Sequence, residues 1–276
     1  MSQSKVVFYV HFPDKLLASH ASLLRRVYRW PFDFLEEATT RRADLLIANS
    51  KFTATIFAKA FPSIKAIPTV LYPAVDIKDE ASSSSSSKKR YVVSLNRFER
   101  KKRIDVAIEA VALLNKDLEL VVAGGYDDRV LENVEHLEEL RRLASLKKVN
   151  VVFETSVSDE RRVELLSNAL CLLYTPPFEH FGIVPLEAMA LGCPVIAVNS
   201  GGPLETIVDG TTGFLVDPSP KAFANKLQCF LDEPSLRKNL SSKCRAHVKH
   251  DFSSDAFADR LHTILTDLLN NNKKMK

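Results

Sequence analysis

Residues 169–203 read ALCLLYTPPFEHFGIVPLEAMALGCPVIAVNSGGP. The stretch holds two short apolar runs, ALCLLYT and PVIAV, joined by a longer apolar run that begins at a glycine. Short apolar runs are typical of strands buried on both faces, and the longer run is typical of a buried helix. A strand, a helix and a second strand in this order predict one βαβ unit of a parallel sheet.

The same alternation extends toward the amino terminus. The runs YVVSL, LELVVAG and NVVFE predict three further buried strands, and helical patterns separate them. The predicted helices cover residues 104–114, 130–145, 159–168 and 182–191. We therefore predict an α/β fold with a parallel Rossmann-like sheet and helices on both faces. Ligands of such sheets bind at the carboxyl ends of the strands, near the point where the strand order reverses.

Composition divides the chain into unequal parts. The run ASSSSSSKKR at residues 81–90 predicts a flexible, solvated linker. The pattern in residues 91–250 predicts a complete Rossmann-like domain that binds a ligand, whereas residues 1–80 hold only enough strands and helices for part of a second such domain. Residues 251–276 predict a C-terminal helix and a basic tail. The tail ends in KKMK, which has the pattern of a dilysine retrieval signal or of a solvated lysine-rich end.

Several site classes find no support in the composition. The four cysteines form no CxxC pair, and we predict that all are reduced core residues: Cys171, Cys193, Cys229 and Cys244. No run reaches the roughly 18 apolar residues of a membrane-spanning helix. The sequence has no DxD motif and no cluster with metal-ligand spacing, so we predict no metal and no cofactor. A net charge of +4 suits an anionic ligand or membrane surface, and nucleic acid is not an expected partner.

Two glutamates flank the start of the apolar helix in the opening stretch. Glu179 and Glu187 lie eight positions apart, with Gly182 between them. An unpaired carboxylate inside a buried helix costs several kcal/mol. A nucleotide-sugar solves this problem, because its phosphates could face the N–H groups at Gly182 and its hydroxyls could satisfy Glu187. The alternative is that Glu187 pairs with a structural arginine or faces an exposed stripe.

Other polar or glycine-rich segments follow neighbouring strands. Arg97 and Lys102 follow YVVSL at the start of a predicted helix, which favours a diphosphate clamp or, alternatively, a solvated basic turn. The glycines at 124–125 follow LELVVA and allow close approach of a ligand or form a simple turn. Gly201 and Gly202 follow PVIAV and would border the same phosphates. Four strand ends thus converge on anion-binding chemistry.

The combination of E-x7-E after a strand, an Arg-x4-Lys pair and a GGP turn resembles the retaining glycosyltransferases of family 4, which have the GT-B fold. Longer phrases, including VVFYVHFPD and VAGGYDDRVLENVEHLEEL, narrow the resemblance to the mannosyltransferases of the dolichol-linked oligosaccharide pathway. The resemblance implies that Glu187 holds the ribose hydroxyls and Glu179 the transferred mannose. It also implies that the diphosphate is neutralised by Arg97 and Lys102 and is bordered by the backbone at Gly182, Gly201 and Gly202.

The same resemblance implies the substrates and the location. GDP-mannose would be the donor, as a co-substrate rather than a cofactor, and a dolichol-diphosphate oligosaccharide would be the acceptor. The expected location is the cytosolic face of the endoplasmic reticulum membrane, with other glycosyltransferases of the pathway as further partners. His11, at the end of the first predicted strand, would join Glu179 as a catalytic residue contacting the donor sugar, although a lone histidine is more often structural.

Two other functions compete with the mannosyltransferase. Members of that family begin with a complete Rossmann-like domain and a glycine-rich loop that this sequence does not contain, so a truncated, non-catalytic nucleotide-sugar-binding or partner-binding form is the alternative. A nicotinamide-dependent oxidoreductase would need G-x-G-x-x-G after a strand. Neither GGYDDR nor NSGGPL supplies that motif.

Residues 15–37, KLLASHASLLRRVYRWPFDFLEE, form a basic, aromatic-flanked amphipathic segment. At helical spacing one face collects Leu16, His20, Leu23, Leu24 and Val27, and close by lie Arg25, Arg26, Arg29 and Trp30. Such a segment can lie on an anionic membrane surface. The alternative is a helix that packs on its own domain.

Overall fold

The chain divides into two compact units, Met1–Ala74 with Ser254–Lys276, and Val75–Ser253. The computed structural model describes residues 4–17, 23–76, 90–114 and 117–271. The predicted linker at 81–90 therefore lies outside the described residues except for Arg90, and the basic tail with KKMK lies outside them too.

The smaller unit contains a parallel sheet of three short strands. In chain order these are β1 (Val7–Val10), β2 (Leu45–Ala48) and β3 (Thr69–Val70), and they pair in that order. Between these strands the described residues form three helices: α1 (Asp14–Leu17), α2 (Leu23–Thr40) and α3 (Lys51–Ala60). The Ser50 hydroxyl caps α3 by accepting a hydrogen bond of 2.9 Å from the N–H of Thr53. Phe57 and Phe61 of this region pack edge to face in the core of the unit.

The larger unit contains a parallel sheet of six strands. In chain order the strands are β4 (Tyr91–Leu95), β5 (Glu119–Gly124), β6 (Val151–Thr155), β7 (Leu172–Tyr174), β8 (Val195–Val198) and β9 (Gly213–Val216). In the sheet their order is β6-β5-β4-β7-β8-β9, and every neighbouring pair is parallel. The chain thus starts in the middle of the sheet, builds one half, and returns to build the other half. This is the doubly wound order, and its reversal point lies between β4 and β7.

Helices cover the sheet of the larger unit. They are α4 (Ile104–Ala112), α5 (Leu131–Lys147), α6 (Asp159–Asn168), α7 (Ile183–Ala190), α8 (Pro203–Thr206), α9 (Pro220–Asp232) and α10 (Ser235–Asp251), and a 3-10 turn spans Arg100–Lys102. The last helix, α11 (Ser254–Asn271), belongs to the smaller unit. The four helices predicted in the larger unit agree with α4 to α7 to within about two residues, the usual uncertainty of helix ends. None of the helices in the described ranges is long and apolar enough to cross a membrane.

Three details differ from the sequence-based predictions. Strand β6 was expected to be fully buried, but it is an edge strand and Val152 is partly exposed. Strand β9 was not predicted, because its short run GFLV follows a glycine- and threonine-rich turn and carries little periodic signal. The core prediction was wrong for Cys229, which is exposed because it faces outward on α9 while Leu227 and Phe230 face the core. The other three cysteines are buried and free.

Candidate active site

An ion pair joins the two strand ends where the order of the larger sheet reverses. Lys102 ends the 3-10 turn after β4, and its Nζ lies 2.5 Å from Oε2 of Glu179 in the loop after β7. The two side chains are only 12% and 24% exposed. Thr175, directly after β7, donates a hydrogen bond of 2.7 Å from its hydroxyl to the carbonyl of Lys102. Two segments that are 77 positions apart in sequence therefore meet at the place where doubly wound sheets bind ligands.

The loop that carries Glu179 is held by the glycines that follow β8. The N–H of Gly202 donates a hydrogen bond of 2.7 Å to the carbonyl of Glu179. A Cβ added to Gly201 would lie 2.5 Å from that same carbonyl oxygen, and one added to Gly202 would lie 2.1 Å from the carbonyl oxygen of Phe181. The GG pair is therefore needed for close backbone packing, which sets the position of Glu179. Its predicted role beside the phosphates stays a prediction.

Gly182 forms the entrance to α7. It adopts the left-handed conformation, with φ of 78°, and occupies the N-cap position of the helix. A residue without a side chain cannot cap the first-turn N–H groups, which leaves them available to an anion. A Cβ here would meet Tyr174 and Pro203 only at ordinary contact distances, so the backbone angle is what requires glycine.

Glu187 pairs with an arginine that the sequence analysis did not identify. Arg162 of α6 places Nη2 at 2.8 Å from Oε1 of Glu187, and both side chains are partly exposed. This is the structural arginine that sequence reasoning left open as an alternative partner. A carboxylate has two oxygens and about four acceptor positions, so the pair leaves Glu187 able to accept sugar hydroxyls. Arg162 is thus positioned to orient the carboxylate.

Replacing Arg162 with alanine should weaken nucleotide binding by about five- to thirtyfold, which corresponds to roughly 1–2 kcal/mol. The loss is expected because Glu187 then loses the ion pair that fixes its orientation. Titration calorimetry with GDP measures the effect. The matched control is Arg161→Ala, since Arg161 is the neighbouring arginine and pairs instead with Glu154 and Glu164. Equal affinities in the two variants would contradict the assignment.

Two further titratable groups line the loop after β7. Burial, followed by the nearby Glu179 carboxylate, raises the pKa of the Tyr174 phenol well above its usual range, and Glu187 contributes more weakly. Burial lowers the pKa of His180, and Lys102 lowers it further against the opposing effect of Glu179. The phenol and the imidazole are therefore both neutral near pH 7, and Tyr174 can donate its proton to Glu179 in a hydrogen bond. The sequence analysis did not select Tyr174, although its position at the end of a predicted buried strand was a signal that could have indicated it.

The structure gives Arg97 and Lys102 different partners. Arg97 is 62% exposed, and its Nη1 lies 2.9 Å from Glu99, whereas Lys102 is directed to Glu179. Both residues follow the same strand, and their joint role as a diphosphate clamp stays a prediction. The Cγ of Arg97 would lie 3.2 Å from a Cβ added to Gly125, so the arginine passes directly over that glycine.

A buried asparagine braces the two loops that follow β4 and β5. The side-chain amide of Asn133 donates to the carbonyl of Phe98 at 3.1 Å and accepts from the N–H of Asp127 at 3.0 Å. A Cβ on Gly124 would lie 2.0 Å from the carbonyl oxygen of Asn96, so this glycine serves close approach of the two backbones. Sequence reasoning missed Asn133, because an asparagine in the first turn of a helix also reads as a surface residue.

Phe178 adopts a backbone conformation that is unfavourable for its residue type. It precedes Glu179 with φ of 54°, its side chain is 67% exposed, and its N–H donates to the Ser200 hydroxyl at 3.2 Å. The left-handed region costs a residue with a Cβ about 1–2 kcal/mol. Such strain occurs preferentially at functional sites.

We expect Phe178→Gly to raise the free energy of unfolding by about 0.5–1 kcal/mol, because glycine removes the left-handed penalty and gives back part of the gain as chain entropy. The midpoint of thermal unfolding should rise by roughly 1–4 °C. Phe178→Ala is the control, since it removes the exposed ring but keeps the Cβ. An equal rise in both variants would show that the ring, rather than the backbone, is responsible.

His11 lies in the smaller unit. Its ring meets Tyr9 edge to face with 5.0 Å between centroids, and its carbonyl accepts a hydrogen bond of 3.2 Å from the side-chain amide of Asn49. The side chain is exposed. Contact with a donor sugar stays a prediction for this residue. Within the ranges that the structure describes, no group of three or more His, Cys, Asp or Glu side chains is arranged to hold a metal ion.

Comparison with known proteins identifies a family and relatives of this chain. The family described as glycosyl transferases group 1 matches residues 76–247, which is most of the larger unit. The alpha-1,3/1,6-mannosyltransferase ALG2 of Homo sapiens is 46% identical over 286 residues, covering 97% of this chain and 69% of that protein.

Two solved structures share the fold. Sucrose-phosphate synthase from Thermosynechococcus elongatus is 24% identical, with a TM-score of 0.80 over 96% of this chain and 68% of that one. The Anabaena protein HepE, solved in complex with UDP-glucose, is 21% identical, with a TM-score of 0.76 over 95% of this chain and 72% of that one. At these identities the likeness concerns the fold alone.

Proposed function

Because this chain belongs to the glycosyl transferases of group 1, and among them to the mannosyltransferases, we propose that it transfers mannose from GDP-mannose to a dolichol-diphosphate-linked oligosaccharide during assembly of the N-glycan precursor. The family predicted from E-x7-E and its companion motifs is confirmed, and so are the GT-B type of fold and the class of enzyme. The donor base, the lipid acceptor and the stereochemical course belong to the proposal.

One observation carries the donor assignment. The Lys102–Glu179 pair lies at the reversal point of a doubly wound sheet, where an anionic ligand would bind. The ammonium of Lys102 can neutralise a diphosphate, and the N–H groups at the start of α7, which no side chain caps, are of a kind that binds anions. A protein of the same fold, HepE, was solved with a nucleotide-sugar. These features support a nucleoside diphosphate-sugar as the donor.

The charged side chains supply the proposed chemistry. Lys102 stabilises the negative charge that develops on the departing diphosphate, which is electrostatic catalysis by a preorganised group. Arg97 would leave Glu99 to reach the same phosphates. Glu179 exchanges Lys102 for hydroxyls of the mannose, and Glu187, oriented by Arg162, accepts hydrogen bonds from the ribose. Attack by the acceptor on the face that the diphosphate leaves would retain the anomeric configuration.

Transfer of radiolabelled mannose tests the proposal. The full chain is incubated with GDP-mannose and a dolichol-diphosphate acceptor carrying chitobiose and one mannose, and UDP-glucose is the control donor. We expect a lipid-linked product from GDP-mannose only. Binding of GDP-mannose without product would favour the non-catalytic alternative. Failure to bind any nucleoside diphosphate-sugar would overturn the donor site itself.

The proposed location is the cytosolic face of the endoplasmic reticulum membrane, because that is where a dolichol-linked acceptor of this pathway would be presented. Other glycosyltransferases of the pathway are the proposed partners, since each would receive the product of another. Location is tested by fractionation of cells that produce the chain and by protease protection of sealed microsomes. Complete digestion in sealed vesicles is the outcome expected for a cytosolic orientation.

A further inference from the structure

Helix α2 has its burial reversed relative to an ordinary surface helix. At about 100° per residue, its exposed apolar residues occupy an arc of about 200°. Their side chains are between 49% and 70% exposed: Val27, Tyr28, Trp30, Phe32, Phe34 and Leu35. Helices of globular proteins normally turn such a stripe toward the core. We call this exposed arc the apolar face of α2.

The polar side of α2 holds the helix on its own unit. Arg29 pairs with Asp14 of α1 at 2.6 Å, and within α2 it also pairs with Asp33 at 3.1 Å. Glu36 accepts hydrogen bonds of 2.8 and 3.0 Å from the N–H groups of Asp14 and Lys15. The inward position of Arg29 corrects the sequence-based prediction, which grouped it with the arginines available to a membrane. Polar contacts thus fix the orientation that leaves the apolar face outward.

The aromatic side chains of the apolar face are arranged in ordered pairs. Trp30 stacks on Phe34 with 6.2 Å between ring centroids, and Tyr28 lies 5.4 Å from Phe32 in a tilted pair. The two residues of each pair are four positions apart in sequence, so their rings lie about one helical turn apart on the same face. Rings ordered in this way lose little conformational freedom when a partner covers them. The face is therefore preorganised for contact.

Two arginines lie at the margins of this face. In a view down the helix axis, Arg25 lies about 20° beyond Phe32 at one edge of the apolar face, and Arg26 lies about 40° beyond Trp30 at the other edge. Both side chains are exposed. Tryptophan and tyrosine prefer the membrane–water interface, and arginine at the edge of an apolar face can reach anionic headgroups. Basic margins around an aromatic face match an anionic lipid surface in charge and in chemistry.

We propose that the apolar face of α2 seats the enzyme on an anionic phospholipid surface, with the helix lying in the plane of the interface. The 18 residues of α2 extend about 27 Å, and their polar side is retained by the protein, so the helix lies on the bilayer instead of crossing it. The purpose of this contact rests on the proposed lipid-linked acceptor, which an enzyme held at the interface would meet by diffusion in two dimensions.

Trp30 gives the test a specific probe, because it is the only tryptophan in the sequence. Its fluorescence is recorded in the full chain with vesicles of phosphatidylcholine alone and of phosphatidylcholine with phosphatidylinositol. We expect a blue shift and quenching by brominated acyl chains, both stronger with the anionic vesicles. An emission spectrum that neither vesicle changes overturns the proposal.

Variants then test whether vesicle binding depends on the apolar face of α2 or on other parts of the surface. Trp30→Ala with Phe34→Ala should lower vesicle co-sedimentation at least about tenfold, since two aromatic side chains no longer enter the interface. Arg25→Gln with Arg26→Gln should remove mainly the preference for anionic vesicles. Ile67→Ala is the matched control, because Ile67 is a large exposed apolar residue of the same unit outside α2. Thermal unfolding of each variant verifies that it folds.

Two outcomes identify another occupant or another function. A dimer in analytical ultracentrifugation that Trp30→Ala with Phe34→Ala dissociates, without vesicle binding, would assign the face to a second copy and overturn the proposal. The binding assays contain neither donor nor acceptor, so vesicle binding without mannose transfer would leave this inference standing while the proposed function fails. Transfer to a water-soluble acceptor analogue should be unchanged in the double variant.

Discussion

Lys102→Ala should lower kcat for mannose transfer by about 100- to 1000-fold, which is the effect of removing one preorganised group that stabilises charge in the transition state. The structure explains why a single lysine can matter so much. Lys102 is nearly buried, its backbone is held by Thr175, and its ammonium already lies against a carboxylate at the reversal point of the sheet. Binding of the donor would therefore replace one anion by another without reorganising the lysine.

The adjacent lysine provides the control for this experiment. Lys101 belongs to the same 3-10 turn but is 69% exposed and pairs with Glu99. Lys101→Ala removes the same charge from the chain and should leave kcat within about threefold, because exposed ion pairs contribute little. Initial rates at saturating GDP-mannose measure both variants. Similar losses in the two would indicate a general effect of charge, and a normal rate for Lys102→Ala would refute the role of Lys102.

Gly202→Ala should be strongly destabilising, with a loss of about 3 kcal/mol or more in the free energy of unfolding. Gly202 has an ordinary backbone conformation, with φ of −57°, so alanine adds no backbone strain. The added Cβ would lie 2.1–2.4 Å from three backbone atoms of Phe181, and backbone cannot move aside cheaply. The N–H of Gly202 also donates a hydrogen bond to the carbonyl of Glu179, so the affinity for the donor should fall together with the stability.

Gly210→Ala is the control that distinguishes backbone strain from a steric clash of the added Cβ. It has φ of +70°, and a Cβ built there meets nothing within 4 Å. Gly210→Ala should therefore show only the left-handed penalty of about 1 kcal/mol and normal donor binding. Urea unfolding and GDP titration measure both effects. If Gly210→Ala were as damaging as Gly202→Ala, close packing against Phe181 would not be the reason that glycine is needed.

Much of the larger unit could be predicted from the sequence, since each element there has a local signal. Buried parallel strands are short apolar runs, and helices repeat their apolar residues with a period of 3.6, so β4, β5, β7, β8 and four helices were found at nearly the right residues. The exceptions had weak or misleading local signals. The run of β9 is short, and the apolar run of β6 does not reveal that the strand lies at an edge.

For the candidate site, the sequence analysis proposed the two glutamates, Lys102 and the glycines, and their roles toward a ligand stay predictions. It could not assign their partners. Glu179 pairs with Lys102 across 77 positions, and Glu187 pairs with Arg162 rather than standing alone in a buried helix. Arg97 and Lys102, close in sequence, take separate partners. Three further residues could be connected with the site only through their contacts in the folded structure: Tyr174, Arg162 and Asn133.

The sequence by itself determined the kind of layers that this protein builds, which strand ends carry charge and glycine, and the family to which these motifs belong. Only the tertiary structure decided where the strand order reverses, which charges neutralise one another there, and that α2 turns its apolar face outward. The reason is physical. Periodicity and backbone preference act over a few residues and are written in the local chain, whereas ion-pair partners and buried faces depend on packing between segments that are far apart in sequence.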